Sequence, residues 1–432
     1  MTVEEMAREM KLQAPYMGAT SAEARNSALE EIKNALIARK EDIFAENHKD
    51  LDAADESGVA DAVKKRLKFD EGKMNSVIDG LDALQKLEDP IGKVTLNREL
   101  DEGLRLVRQS CPIGVIGVIF EARPDALVQI ASLCIKSGNC AILKGGKETI
   151  NTNRILFKVI KEAIAKTELP DGCLAQAESH AEIDELLKLD GYVDLLIPRG
   201  SNKFVRYIMD NTSIPVMGHS DGICHIYVDE ETDEAIDIIT DAKIQYAAAC
   251  NAVETILINK NVSDEFLKAL AKRLRSEGVN INATPDMKER MGDEGADATS
   301  ITDEDFDREY LSFALGIKFV SDIDEAIEHI NKHGSHHTDA ILTHNEDNIE
   351  RFMQLVDSAG VYANCSTRFS DGFRYGFGAE VGISTGKIHA RGPVGLDGLM
   401  TYKYKLYGSG QTVEKYASGE KAFTHREIPS DG

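Results

Sequence analysis

Residues 114–120 read GVIGVIF, and this run decides the fold. It is short, rich in β-branched side chains and free of polar alternation, so it reads as a strand buried on both faces. Downstream the texture repeats. Residues 126–137 carry a helical pattern that stops at Gly138, 141–143 form a second strand, 149–165 a helix, and Leu169-Pro-Asp-Gly172 a break. Residues 193–197 and 223–228 are further strands, separated by the turn Arg199-Gly-Ser-Asn202 and a helix. Strands alternating with helices imply a parallel sheet covered on both sides.

A second series follows Cys250: strand 254–259, helix 263–275, strand 317–320, helix 324–333, strand 340–343 and helix 345–356. The fold class is therefore α/β, with two doubly wound domains meeting near Asp229. The acidic segment 283–307 reads as a mobile loop or short helix. Upstream, the first ninety or so residues are helical. Thr20 with Glu23 makes a capping box, then Leu29, Ile32, Leu36 and Ile43 recur at helical spacing. A second run carries Val63, Leu67, Met74, Val77, Leu81 and Leu84 and ends at Pro90-Ile-Gly92. Residues 364–395 hold glycines, aromatics and arginines with little periodicity, the texture of backbone that approaches a ligand. Residues 401–407 (TYKYKLY) alternate as an exposed or paired strand would.

The chain has 432 residues and a formal net charge of -24, which argues against nucleic acid as a partner. No apolar stretch has bilayer length, and the start MTVEEMAREM lacks the basic-then-apolar order of a signal peptide. Seven cysteines stand singly between Cys111 and Cys365, without CxxC spacing, which points to reduced thiols in the cytoplasm. Neighbours on one element point apart, so the doublet His336-His337 makes no metal site by itself.

Cys250 lies in YAAACNA (246–252), where small neighbours leave room for a carbonyl and a flat ring beside the sulfur. Cys134, Cys140 and Cys224 fall inside apolar elements and read as small buried hydrophobes. Lys144-Gly-Gly-Lys147-Glu148 follows a strand and precedes a helix, where a doubly wound sheet binds nucleotides, although no GxGxxG is present. Arg199-Gly200-Ser201 is a second such turn. Arg123, Arg368 and Arg391 stand in loops, where guanidinium groups grip carboxylate or phosphate.

Six segments together resemble the aldehyde dehydrogenase superfamily and, within it, the gamma-glutamyl phosphate reductases. They are 112–125 (PIGVIGVIFEARPD), 141–148 (AILKGGKE), 197–202 (IPRGSN), 250–257 (CNAVETIL), 364–372 (NCSTRFSDG) and 377–395 (FGAEVGISTGKIHARGPVG). The similarity runs end to end, and FEARPD and HARGP are the segments specific to the reductases. The resemblance implies a cofactor-binding domain over 1–228 with an oligomerisation hairpin near 95–110, a catalytic domain over 229–395, and an oligomerisation segment and tail over 396–432. It implies NADPH-dependent reduction of L-glutamate 5-phosphate to L-glutamate 5-semialdehyde through a thioester, in proline synthesis. Cys250 matches the nucleophile, with Asn251 beside it in the catalytic motif. Lys144 matches the lysine on the cofactor ribose, Gly200 and Ser201 the turn at the pyrophosphate, and Glu309 the glutamate on the nicotinamide ribose. Lys147 falls where NAD enzymes often carry a glutamate, and a cation there suits the 2′-phosphate of NADPH.

Arg123, Arg368 and Arg391 then serve phosphate and α-carboxylate, with the division among them open. The resemblance also implies a homo-oligomer and raises contact with glutamate 5-kinase, which makes the substrate. Residues 216–222 (VMGHSDG) lack the water-activating glutamate of oxidising members, which favours reduction. The superfamily's oxyanion asparagine has no counterpart near Glu121-Ala-Arg123. Ala247–Ala249 stand where the reductases often have proline or glycine. The alternatives are a CoA-acylating or oxidising enzyme of the same fold, or a catalytically silent assembly protein.

Overall fold

The computed structural model describes residues 1–59, 61–179, 181–378 and 380–429. Ala379 of the glycine-rich motif and residues 430–432 of the expected tail lie outside them. The chain divides into two units. One comprises Met1–Met217, Gly378–Gly382 and Val394–Gly432, the other Gly218–Phe377 and Ile383–Pro393. The boundary expected after residue 228 is therefore corrected. Strand Cys224–Val228 pairs with Val253–Asn259 on one side and Thr338–Leu342 on the other, so it opens the second sheet. Its apolar composition marks a buried strand but carries no information about which sheet it joins. The C-terminal segment is likewise no separate body, because its strand completes a sheet of the first unit.

In the first unit a parallel sheet runs in the order Leu174–Ala177, Cys140–Lys144, Val115–Phe120, Leu195–Arg199. All six residues of Val115–Phe120 are buried, as its β-branched run requires. Numbered along the chain the order is third, second, first, fourth, so the connections reverse direction between Val115–Phe120 and Leu195–Arg199. That reversal leaves a crevice at the carboxyl ends of those two strands. Leu174–Ala177 escaped the sequence reading because LAQA is too short and mixed to show a pattern.

Helix Val3–Met17 packs directly on this sheet, whereas Ala22–Ala38, Lys40–Glu56 and Glu71–Lys86 pack on helices Pro124–Lys136 and Ile150–Ile164. Helix Val3–Met17 opens with a capping box made by Thr2 and Glu5. Helix Ala22–Ala38 is capped by Ser21, whose side chain accepts from Ala24 N, rather than by the expected Thr20. Thr20 instead donates its hydroxyl to the Met17 carbonyl (2.7 Å) and finishes the preceding helix. The second periodic run is two helices, Asp61–Leu67 and Glu71–Lys86, because Asp70 breaks it and caps the latter. Asp50 from helix Lys40–Glu56 accepts from Thr152 N (2.8 Å) and Thr152 Oγ1 (2.6 Å), anchoring the start of helix Ile150–Ile164 with a carboxylate.

The hairpin expected near 95–110 is present as Val94–Asp101 and Leu104–Pro112. Met400–Tyr407 adds to its outer edge in unbroken register, from Met400 opposite Pro112 to Tyr407 opposite Arg105. Tyr402, Tyr404, Leu406 and Tyr407 of that strand are exposed.

The second unit is built on a seven-stranded parallel sheet, in the order Thr299–Ser300, Asn280–Ala283, Ala314–Val320, Val253–Asn259, Cys224–Val228, Thr338–Leu342, Gly360–Ala363. Alternate residues feed two cores: Ile226, Ile256 and Ile258 on one face, Tyr227, Leu257 and Ile341 on the other. Of the two forms expected of the acidic segment, the short helix is the one found. The segment holds helix Pro285–Met291, whose Met287 and Met291 enter the core, and a strand paired with Asn280–Ala283. No helix among the described residues is long and apolar enough to cross a membrane.

Candidate active site

Cys250 stands half-buried three residues before strand Val253–Asn259, at the amino edge of the second sheet. Its loop joins that strand to helix Ala235–Ile244. The two elements are tied at the loop's base by a fully buried ion pair, Lys243 Nζ to Glu254 Oε2 at 2.9 Å. Lys243 Nζ also donates to the Val253 carbonyl (3.0 Å). Burial pushes the Glu254 carboxyl up to about 7 and pulls the Lys243 ammonium down. The pair is invisible in sequence, because each member looks like a surface charge until the fold buries it.

Six further thiols lie in the described structure. Burial pushes all of them up: Cys134 and Cys173 to about 12, Cys224 well above its ordinary range, and Cys111, Cys140 and Cys365 likewise upward. A protonated thiol is a poor nucleophile. Cys224 has a structural task, donating its S–H to the Cys250 carbonyl (3.3 Å).

Asn251, expected beside Cys250 in the catalytic motif, is tied to the segment 366–370. It is buried, and its Nδ2 donates to the Ser370 carbonyl (2.8 Å), while Thr367 Oγ1 donates to the Asn251 carbonyl (2.7 Å). Segment 366–370 is thereby fastened beside Cys250. That brings in Arg368, buried, with its Nε donating to Gln245 Oε1 (2.9 Å). Burial and neighbouring Arg374 pull its guanidinium down, and the Cys250 sulfur pulls it back up. Arg391 is engaged elsewhere: its Nη2 donates to Asp357 O (3.0 Å) and Oδ1 (3.2 Å). Glu309 Oε1 accepts from Gly222 N (2.9 Å).

Gly222 packs against the backbone of Cys250. A β-carbon there would lie 2.6 Å from Cys250 Cα and 2.7 Å from its carbonyl carbon, closer still to the oxygen. Gly222→Ala therefore has to displace the Cys250 loop, and a displacement of this size costs about 10²-fold in kcat. Steady-state kinetics on the variant, with circular dichroism to confirm folding, check this. Unchanged kcat would show that the loop moves without consequence.

In the first unit, Gly200 and Ser201 sit where strand Leu195–Arg199 gives way to helix Asn202–Asp210, at the crevice left by the strand reversal. Lys144 ends the strand on the far side of Val115–Phe120 and is buried, with its Nζ donating to the Gly145 carbonyl (2.5 Å). Burial pulls its ammonium down, against the pull of Glu148, Glu182, Glu121 and Glu178. Lys147 is exposed, as is Arg123, which immediately precedes helix Pro124–Lys136.

Two acids missed in the sequence line this region. Glu121 Oε2 accepts from Ser201 N (3.0 Å) and Glu148 Oε1 from Ala122 N (2.5 Å). Ala122 has a positive φ of 52°, a strained conformation that aims its N–H. Backbone donors that hold carboxylates are suited to phosphate oxygens as well. Strand order, the glycine turns and the two lysines fit a dinucleotide. In this way the structure brings Cys250, Asn251 and Arg368 together in one unit. It gathers Lys144, Lys147, Gly200 and Ser201 around the sheet ends of the other.

Comparison with known proteins agrees with this architecture. The profile of the aldehyde dehydrogenase family matches residues 1–292. The gamma-glutamyl phosphate reductase of Acetivibrio thermocellus is 52% identical over 430 residues, covering 99% of this chain and 99% of its own. That of Pelotomaculum thermopropionicum is 50% identical over 433 residues, covering 100% and 99%. Among solved structures, the gamma-glutamyl phosphate reductase of Thermotoga maritima superposes with a TM-score of 0.92 at 36% identity, covering 95% of this chain and 100% of its own. An acetylating aldehyde dehydrogenase from Geobacillus thermoglucosidasius shares the fold alone, with a TM-score of 0.64 at 15% identity over 95% and 97% of the two chains.

Proposed function

The chain belongs to the aldehyde dehydrogenase family and, within it, to the gamma-glutamyl phosphate reductases, and from that premise we infer that it reduces L-glutamate 5-phosphate to L-glutamate 5-semialdehyde with release of phosphate. This is an oxidoreductase step of proline synthesis. The observation that carries the reading is 52% identity to a reductase over 99% of both chains.

Cys250 attacks the acyl carbon as thiolate. The C–O bond to phosphate breaks, and a thioester remains on sulfur. A nicotinamide cofactor, when bound, supplies the hydride that reduces this thioester. The Cys250 sulfur then leaves as thiolate while the carbonyl re-forms, and one proton is consumed overall. The Cys250 backbone N–H serves as a donor to the developing oxyanion. Arg368, in the segment that Asn251 and Thr367 fasten to the Cys250 loop, stabilises anionic substrate groups. With no glutamate in residues 216–222 to activate water, the thioester waits for hydride.

Lys144, Lys147, Gly200 and Ser201 hold the cofactor, and Glu309 its nicotinamide ribose. The cofactor is NADPH. Lys147 supplies a cation for the 2′-phosphate, and Glu148 in the same turn is engaged by the Ala122 N–H. The seven free cysteines support a reducing, cytoplasmic setting. The exposed strand Met400–Tyr407 offers an edge to a second copy, and glutamate 5-kinase is the natural supplier of so labile a substrate.

Run backwards, the enzyme should form NADPH from the semialdehyde only when inorganic phosphate is present. Coenzyme A replacing phosphate would instead select the CoA-acylating alternative. kcat/KM with NADPH should exceed that with NADH by about tenfold or more, and Lys147→Glu should erase most of that ratio. Comparable values for the two cofactors in the unaltered enzyme would refute the choice of NADPH.

A further inference from the structure

We propose that His219, Cys250 and His337 form a three-donor site for a thiophilic divalent cation of the zinc class, which reversibly masks the thiol. The site goes beyond the reductase reading and stands or falls without it. One ring nitrogen of each histidine and the Cys250 sulfur lie within 4.8 Å of one another. The three come from neighbouring segments at the amino edge of the second sheet: the turn before Cys224–Val228, the loop before Val253–Asn259, and the residue before Thr338–Leu342. Zinc bonds of about 2.0–2.3 Å in a tetrahedron put donors roughly 3.3–3.8 Å apart, so a side-chain closure of about 1 Å completes the set.

Each imidazole has one ring nitrogen held by a neighbouring oxygen. His219 Nδ1 lies 2.9 Å from the Ile383 carbonyl. His337 Nδ1 lies 2.9 Å from Thr338 Oγ1. Its ring is wholly buried, and its Nε2 has no hydrogen-bond partner. A buried, unpartnered nitrogen is costly to leave so, and a bound cation removes that cost. A far ring nitrogen held by a carbonyl or hydroxyl is how metal-binding histidines are oriented. His336 does point away, its Nδ1 lying 2.6 Å from the Asp357 carbonyl, so the doublet contributes one ligand rather than two.

A second triplet, Asp303, His329 and His333, is equally close-set but already holds its cations. Lys332 Nζ is 2.7 Å from Asp303, and Lys318 Nζ is 3.5 Å from both Asp303 and His329 Nδ1. At the Cys250 triplet, Arg368 acts on the same sulfur and repels a further positive charge. Only ions whose bond to thiolate offsets that repulsion are retained, which selects zinc, cadmium or cobalt over magnesium or calcium. Binding exchanges one proton for the metal: the Cys250 S–H bond breaks, a sulfur–metal bond forms, and nothing is oxidised.

The test is a Co²⁺ titration of EDTA-treated protein without substrate. One equivalent should produce a sulfur-to-cobalt charge-transfer band with intense visible transitions. Zn²⁺ should erase it and Mg²⁺ should not. Cys250→Ala should abolish the band, and His337→Gln or His219→Gln should each weaken Co²⁺ binding at least about tenfold. Two histidine variants guard against one failing to fold, with circular dichroism as the check. No band, a band that survives Cys250→Ala, or unchanged affinity in both histidine variants overturns the site. Turnover is a separate readout, so a missing band leaves the nucleophile reading intact, and an active Cys250→Ala enzyme removes that reading without touching the metal site.

Discussion

Replacing Cys250 with alanine should lower kcat for glutamate 5-phosphate reduction by about 10⁴-fold or more, the scale on which nucleophile removal acts in enzymes with covalent intermediates. The loss should fall on kcat rather than on cofactor binding, because Lys144, Lys147, Gly200 and Ser201 belong to the other unit. No second thiol can take over, since burial keeps the remaining six protonated. The side chain is small and half-buried, so the unfolding free energy should shift by no more than about 1 kcal/mol. Single-turnover mixing with freshly generated acyl phosphate reads the chemical step directly. Activity within tenfold of the unaltered enzyme would falsify the thioester route.

Lys243→Met should cost about 3–5 kcal/mol of stability at alkaline pH, the usual penalty for leaving a buried charge without its partner. Glu254 lies fully buried, and its carboxyl is already pushed up to about 7 with the lysine in place. Without the lysine it moves higher still. A carboxyl whose folded value lies above its unfolded one holds its proton more tightly when folded. Its contribution is therefore most favourable below the unfolded value near 4.5 and worsens as pH rises through the folded value. The variant's deficit should accordingly be small at pH 5 and large at pH 8.5, as urea titrations at the two pH values would record. The double variant Lys243→Met/Glu254→Leu removes both charges and should recover most of the loss. A deficit independent of pH would mean that lost packing of the lysine stem, and not the orphaned carboxylate, is responsible. Because the pair ties the two ends of the Cys250 loop, the single variant should also lose kcat.

Most strands and helices could be read directly because buried parallel strands announce themselves. GVIGVIF has no polar residue to confuse with a turn, and strand Val253–Asn259 carries the apolar run Ile256 to Ile258. Failures came where the signal is not local. Nothing within Cys224–Val228 says which sheet it joins, since that depends on partners at Val253 and Thr338. Leu174–Ala177 is too short for periodicity, and at residues 20–21 two adjacent hydroxyls competed for one cap.

The site divides the same way. Motif likeness singled out Cys250 and Lys144, whereas Gly222, Lys243, Glu254 and Glu121 act through contacts with residues distant in sequence. The position of Cys250 also runs against the usual rule that open α/β sheets bind ligands at their carboxyl ends. The first unit follows that rule with its lysines and glycine turns. In the second unit the thiol stands at the opposite, amino edge.

The antiparallel sheet of the first unit has a consequence for synthesis. Leu104–Pro112 waits for Met400–Tyr407 before its outer edge is paired. At about 5–20 residues per second, the roughly 290 intervening residues leave that edge open on the ribosome for on the order of 15–60 s. During that interval a neighbouring nascent chain offers the same unsatisfied backbone. Crowded polysomes are therefore where this fold is most exposed to mispairing, and slow translation near the 3′ end of the message should lower its soluble yield more than equal slowing near the start.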